Sequence, residues 1–258
     1  MNASSRVRIG KVLVDRMSLA DLLGALSSAL QSRTRRTILN ANAHAVTLAE
    51  TNPAFAGALA KADIVFCDGY SVYLASRLFG APIRDRLTYA DITEQLARTC
   101  HSHGASLFLL GAKEGVAGTA ARKLEAAIPG LQVHYHHGYF AKDPESTREV
   151  IELINRSGAQ VLFVGFGMPA QELWITSHRA ELEPLVVFSV GAAIDYAAGS
   201  VRRGPRWMTQ YGFEWLARLA LEPRRLWRRY LLGLPEFGLL VARQWMGTRF
   251  QQMRAENQ

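Results

Sequence analysis

Short apolar runs alternate with amphipathic stretches over the first 200 residues. Runs that read as strands are Ile9–Val14, Thr37–Asn40, Asp63–Cys67, Ser106–Gly111, Leu131–Tyr135, Gln160–Gly165 and Leu185–Val190. Several of them, such as LFLLG, VLFVG and LVVFSV, are apolar without interruption. Unbroken apolar strands are buried on both faces, as in a parallel sheet covered by helices. The stretches between them carry helix starts. Ser18 with Asp21 forms a capping-box pattern ahead of Leu19, Leu22, Leu23, Leu26 and Leu30, and Thr88 with Asp91 repeats it before Ile92 and Leu96. Asp143–Pro144 reads as N-cap and first helical residue before Val150, Ile151 and Ile154. Alternating strands and helices predict a mixed α/β fold with a Rossmann-like parallel sheet. The expected organisation is a two-lobed catalytic body over residues 1–200, with a first lobe to about residue 100 and the Rossmann-like part from about 101 to 200. No low-complexity linker and no internal repeat divides it.

The pattern changes at Val201. Met208, Tyr211, Gly212, Trp215, Leu216 and Leu219 predict one amphipathic helix over Arg206–Leu221. After Pro223, Trp227, Tyr230 and Leu231 group on one side, and Arg224, Arg225, Arg228 and Arg229 on another. An aromatic face opposite an arginine face is the pattern of a helix lying in a membrane interface.

Charge sharpens this division. Of 30 basic and 22 acidic groups, residues 201–258 hold 11 Arg and 4 Glu, a net +7, so the body is almost neutral. Four of the five Trp lie in the same tail. No apolar run approaches the 18 or more residues of a bilayer span, and the N-terminal stretch lacks the apolar region of a secretory signal. The two cysteines, Cys67 and Cys100, form no metal-binding spacing. The expectation is a cytoplasmic protein with reduced thiols, held peripherally on the inner face of the membrane by its tail.

Candidate chemistry collects at strand ends. Asp68, in Phe66-Cys67-Asp68-Gly69, ends a predicted strand; it reads either as a general base or as an Asp-Gly turn. Asn40, Asn42 and His44 end another, as site residues or as a helix cap. Gly165-Phe-Gly167-Met-Pro-Ala170 is formally GxGxxA, a dinucleotide fingerprint, but Pro169 and a missing ribose-binding acid weigh against that ligand. The broader reading is a strand–turn–helix offering backbone amides to a diphosphate, with Gln171 and Glu172 reaching a sugar; a plain tight turn is the alternative. Gly69 and Gly111 end strands in the same way, and Asp195 follows the last predicted strand. The chain has no Asp-x-Asp, the motif that grips nucleotide-sugars through a metal. A diphosphate would then be neutralised by arginine.

These motifs together resemble the WecG/TagA/CpsF glycosyltransferase family over roughly residues 8–235. The resemblance rests on DIVFCDGYSV, IRDRLTYADI, LFLLGAKEGVA, INRSGAQVLFVGFGMPAQELWI and the long segment from VGAAIDYAAGS to LEPRRLWRRYL. It implies an inverting, metal-independent transferase without cofactor that moves a sugar from a UDP-sugar to a polyprenyl-diphosphate-linked acceptor in surface-polysaccharide synthesis. It implies Asp68 as base and Arg86 as an active-site arginine, with Gln171 and Asp195 in the donor pocket. It also implies a membrane-meeting appendage whose Arg218, Arg225 and Arg228 engage the diphosphates. The family's usual Thr-Pro-Asn stands here as Asn40-Ala41-Asn42: Asn42 keeps the asparagine, while Asn40 replaces the threonine and its hydroxyl. The donor sugar stays open, and so does assembly into a homo-oligomer. Two other classes fit single features: an NAD-dependent oxidoreductase fits GxGxxA, and a nucleic-acid-binding protein fits the basic tail.

Overall fold

The computed structural model describes residues 6–201, 204, 208 and 212–256, and the side chains of all of these except residues 214, 225 and 250–256. The strand expected over Ile9–Val14 is instead a hairpin of β1 (Arg6–Ile9) and β2 (Val12–Asp15). Gly10 has φ +57°, and Gly10-Lys11 forms the two-residue loop that turns the chain back. Buried Asp15 ties this hairpin to the body. One carboxylate oxygen accepts from Arg6 Nε at 2.9 Å and the other from the Val65 amide at 2.8 Å.

The remaining strands form one six-stranded parallel sheet: β3 (Arg36–Ala41), β4 (Ile64–Cys67), β5 (Leu107–Gly111), β6 (Val133–His136), β7 (Val161–Gly165) and β8 (Val186–Ser189). Their spatial order is β4-β3-β8-β7-β5-β6. The first hundred residues thus supply two strands to the same sheet as the Rossmann-like part. Both faces carry apolar layers. Leu39, Val65, Leu110, Leu162 and Val187 pack on one side, and Ile38, Phe66, Leu109, Phe163 and Phe188 on the other. At about 1.5–3 kcal/mol for each large side chain taken from water, these two layers supply the main stabilisation.

Helices cover the faces: α1 (Leu19–Gln31), α2 (Ala43–Thr51), α3 (Pro53–Lys61), α4 (Tyr70–Leu78), α5 (Tyr89–Ser102), α6 (Val116–Ala127), α7 (Pro144–Arg156), α8 (Ala170–His178) and α9 (Ala193–Ala198). The Ser18–Asp21 capping box forms, and Asp143 caps α7 through the Ser146 amide. The second expected box does not: Thr88 precedes α5 without a side-chain cap bond. Its hydroxyl is buried elsewhere, as described below.

In the tail, the helix expected over Arg206–Leu221 is interrupted: Met208 is helical, and a separate helix begins at Glu214. Gly212, at φ +81°, lies against the Tyr70 ring in a backbone region closed to a continuing helix. Tyr211 of the expected stripe lies outside the described residues. The tail then runs as α10 (Glu214–Leu221), α11 (Pro223–Trp227), a π-helical turn (Arg228–Leu232) and α12 (Gly233–Glu256). α12 packs on α2, with Phe237 and Val241 buried in the core. Gln244 clamps it to the hairpin by accepting from the Gly10 amide and donating to the Arg8 carbonyl, both at 2.8 Å.

The glycine at the end of β7 has no room for a side chain: a Cβ on Gly165 would sit 2.6 Å from the Gly191 carbonyl oxygen. Gly165→Ala is expected to destabilise by about 1–3 kcal/mol through overpacking. Gly24, inside α1 with open space around it, supplies the contrast: Gly24→Ala is expected to stabilise by about 0.5–1 kcal/mol. Urea midpoints of the two variants check both signs.

Candidate functional site

Every strand of the sheet is parallel, so all six C-terminal ends open on one edge. Two neighbouring cavities lie there. The smaller, of about 200 Å³, sits beyond β3, β4 and β8 and is lined by Asn40, His44, Asp68, Arg86, Tyr196 and Arg218, among others. The larger, of about 850 Å³, opens beyond β5, β7 and β8 beneath the tail, with Lys113, Tyr139, Asp195, Arg228 and Arg229 in its walls. The larger one lies where the chain connections leaving neighbouring strands run in opposite directions, the place where open α/β sheets bind ligands.

Glycines shape this edge. Gly111 and Gly165 are register partners, and a Cβ on Gly111 would meet the Gly165 carbonyl oxygen at 2.7 Å. A Cβ on Gly69 would meet Asn42 Cβ at 2.8 Å. Asn42 itself caps α2 by accepting from the Ala45 amide, so the cap reading of that residue holds while it also lines the smaller cavity.

Asp68 follows β4, its amide bonded to the Ala41 carbonyl of β3. Its Oδ2 accepts from Asn40 Nδ2 at 3.0 Å, and Asn40 Oδ1 accepts from the buried Ser189 hydroxyl at 3.2 Å. Arg86 lies on the loop between α4 and α5, where the Leu87 amide bonds back to the Cys67 carbonyl. The structure thus brings Asn40, Asp68 and Arg86 together in one cavity. Among the described residues, the buried Thr88 Oγ1, Tyr89 Oη and Arg218 Nε at its wall make no hydrogen bond. A buried polar atom left unpaired costs about 1–3 kcal/mol. A ligand rich in hydroxyl groups would satisfy them. Thr88 and Tyr89 were legible only as a helix start, because their side-chain direction depends on how α5 meets the end of β4.

The GxGxxA turn does not serve as the expected amide cradle at Gly167. The Gly167 amide donates inward to Gln171 Oε1 at 3.0 Å, and the Gly191 amide reaches the same oxygen at 3.1 Å. Gln171, 1% exposed, therefore fastens two loops of the cavity rim together. Its Nε2 donates to Glu172 Oε1 at 2.7 Å. Glu172 is wholly buried and lines neither cavity, which corrects its expected contact with a sugar. Burial pushes its carboxyl up to about 7. The thiols of Cys67 and Cys100 are buried and pushed up to about 12 by that burial.

The tail closes the site from above. Arg218 lines the smaller cavity and stands over the Tyr196 ring; Asp195, in the first turn of α9, lines the larger one with Arg228. The Arg225 side chain lies outside the described residues. Arg229, absent from the sequence-derived site, lines both cavities. The expected aromatic face also divides. Tyr230 turns inward and meets Trp215, while Trp227 and Leu231 remain exposed. The π-helical turn explains both shifts, since it breaks the 3.6-residue phase from which the faces were read. Among the described residues, no three His, Cys, Asp or Glu side chains converge on a point that could hold a metal.

The glycosyl transferase WecG/TagA/CpsF family model matches residues 7–251, nearly the whole chain. The chain belongs to that family and is a glycosyltransferase. Among similar proteins are the N-acetylglucosaminyldiphosphoundecaprenol N-acetyl-beta-D-mannosaminyltransferases of Staphylococcus aureus strains MRSA252 and NCTC 8325. Each is 29% identical over 213 residues, covering 83% of this chain and 82% of the relative. Membership excludes the oxidoreductase and nucleic-acid readings of single motifs.

His44 offers a test of the cavity's electrostatics. Burial, and secondarily Arg229, lowers its imidazole to about 4. An unfolded histidine protonates near pH 6.5, so His44 costs stability as pH falls from there towards 4. Wild type is expected to lose more stability than His44→Gln between about pH 7 and about pH 5, read from urea midpoints at each pH.

Proposed function

We propose that this glycosyltransferase moves a sugar from a UDP-sugar to a polyprenyl-diphosphate-linked sugar acceptor, with inversion and without a metal, in surface-polysaccharide synthesis. The observation that carries the reading is Asp68: a carboxylate at a strand end, held by Asn40, facing a cavity whose buried hydroxyls and guanidinium want polar partners. The acceptor class follows from the S. aureus relatives, whose names specify a diphosphoundecaprenol-linked amino sugar as acceptor.

The larger cleft takes the nucleotide, at the glycine-lined ends of β5 and β7. The smaller cavity takes the reacting sugars. Asp68 removes the proton from the acceptor hydroxyl as that oxygen attacks the anomeric carbon. The bond from that carbon to the UDP oxygen breaks in the same displacement. Arg86, Arg218 and Arg229 supply positive charge for the diphosphate that leaves, in the role a metal plays elsewhere.

The lipid reaches this cavity from a membrane surface. No helix among the described residues is long and apolar enough to cross a bilayer. The tail instead exposes Trp227, Leu231 and Leu232 at 42%, 54% and 58%, next to Arg228. These side chains dip into the interface on the cytoplasmic face, while arginines meet anionic headgroups at about 1 kcal/mol each.

Asp68→Asn is expected to lower turnover by about 10²–10⁴-fold while thermal stabilisation by UDP persists. Undiminished turnover by the folded variant would overturn the base assignment. Replacing Leu231 and Leu232 together by Glu is expected to weaken flotation with anionic vesicles by on the order of tenfold or more, at an unchanged melting temperature. High salt is expected to release the wild-type protein in part, as screening weakens the arginine contribution.

A further inference from the structure

The segment that leads into α5 runs beside the end of β4. The Leu87 amide donates to the Cys67 carbonyl at 2.8 Å, so the two residues that follow, Thr88 and Asp68, emerge side by side. Tyr89 comes next. Its ring packs edge-on against Phe66 of β4, with centroids 5.3 Å apart, and its hydroxyl lies at the wall of the smaller cavity. Thr88 and Tyr89 are only 9% and 4% exposed. Yet neither Thr88 Oγ1 nor Tyr89 Oη makes a hydrogen bond among the described residues. Thr88 stands before α5 without using its side chain as a cap. Two buried hydroxyls are thus held beside Asp68 at a desolvation cost that nothing described in the protein offsets.

Their chemistry selects the ligand class. Each hydroxyl donates one proton and accepts in return. Burial, and secondarily the charge of Asp68, holds the Tyr89 phenol well above its ordinary range, so it stays a neutral donor. Neutral donor–acceptor groups match the alcohol and amide groups of a sugar, whereas a diphosphate calls for the arginines. Position selects which sugar. Gly167, Gly191 and Arg229 line both the larger and the smaller cavity, so the nucleotide-linked sugar enters the smaller one past them. Thr88 and Tyr89 line the smaller cavity and not the larger. They follow Arg86, which with Tyr70 joins the smaller cavity to a third one of about 370 Å³. The hydroxyl that Asp68 deprotonates belongs to the acceptor, so the sugar beside Asp68 and Thr88 is the acceptor's.

We propose that Thr88 and Tyr89 are specificity-determining residues, each hydrogen-bonding one polar group of the acceptor sugar so that a single hydroxyl of that sugar faces Asp68. The proposal rests on Asp68 being the base. A sugar ring carries several hydroxyls of similar reactivity, and one carboxylate cannot choose among them. Two further contacts fix the ring's orientation and so fix which hydroxyl is extended. Before the sugar binds, each protein hydroxyl is buried and unpaired; once it binds, each is paired. Removing either hydroxyl therefore acts in opposite directions on the stability of the free protein and on its activity.

The test gives the full chain a short-chain prenyl-diphosphate-linked N-acetylglucosamine, and analogues of it that each lack one hydroxyl or the acetamido group. Tyr89→Phe and Thr88→Val remove the hydroxyls and keep the shapes of the side chains. Each variant is expected to melt at or above the wild-type temperature and to bind UDP with unchanged affinity in calorimetry. Each is expected to lose about ten- to a hundredfold in kcat/KM for the intact acceptor. On the analogue that lacks the group Tyr89 reads, wild type is expected to fall to the level of Tyr89→Phe, and the variant to lose nothing more. Thr88→Val is expected to behave in the same way with a different analogue. Full acceptor kcat/KM in either variant would overturn the proposal. So would a lowered melting temperature, a matching loss of UDP affinity, or losses that multiply on every analogue. Asp68→Asn separates the two levels. If it keeps wild-type turnover, the base assignment has failed; if it is inactive while Tyr89→Phe and Thr88→Val match wild type on every acceptor, only the recognition role has failed.

Discussion

The parallel direction of all six strands is the constraint on which the site depends. It gathers every strand's C-terminal end on one edge of the sheet. Asn40, Asp68 and Ser189 come from or follow three neighbouring strands, and they are far apart in sequence. The same direction brings the glycine pair of β5 and β7 to the floor of the larger cleft. An antiparallel strand anywhere in the centre would carry one of these groups to the opposite edge. The apolar layers on both faces therefore act on function through geometry: they hold the register that sets Asp68 beside Asn40.

Polar groups brought to the end of a dry sheet must be paired, and this end of the protein is a case of nearly complete pairing with selective gaps. Gln171 satisfies two loop amides at once, Asn40 bridges two elements, and Asp15 anchors the hairpin behind β4. Among the described residues, gaps at Thr88, Tyr89 and Arg218 lie at the wall of the cavity that faces Asp68, while those at Glu172 and Trp174 lie away from it. Such gaps suit a polyhydroxylated ligand. The tail contributes to the same enclosure. α12 is locked to the body by Phe237, Val241 and Gln244, and this holds the π turn and Arg229 over both cavities.

Much of this was legible in the chain itself. The uninterrupted apolar runs revealed a buried parallel sheet, since β-strands covered on both faces leave little room for polar residues. Asp68, Asn40 and Gly165 stood out because polar or small residues end those runs. What stayed hidden was anything set by neighbours distant in sequence. Gly10 reads as part of a strand until its positive φ folds the run into a hairpin. Thr88 fits a capping box, yet its hydroxyl is drawn to the cavity wall. The arginine and aromatic faces of the tail were read at a 3.6-residue period, and one π turn brings both Arg229 and Tyr230 inward. Glu172, in a helix's first turn, was expected to reach a sugar; only the packing of α8 on the sheet shows it buried.

The central claim is that a sugar joins a lipid-linked diphosphate acceptor at the cavity facing Asp68. It is tested most directly by the mass of the lipid product formed when the full chain is given a panel of UDP-sugars and a short-chain prenyl-diphosphate-linked N-acetylglucosamine, with a metal chelator present. The account predicts a lipid heavier by one sugar residue, with one UDP released for each lipid extended. Cleavage of the UDP-sugar to free sugar with the lipid unchanged, or extension that stops when the chelator is added, would contradict it.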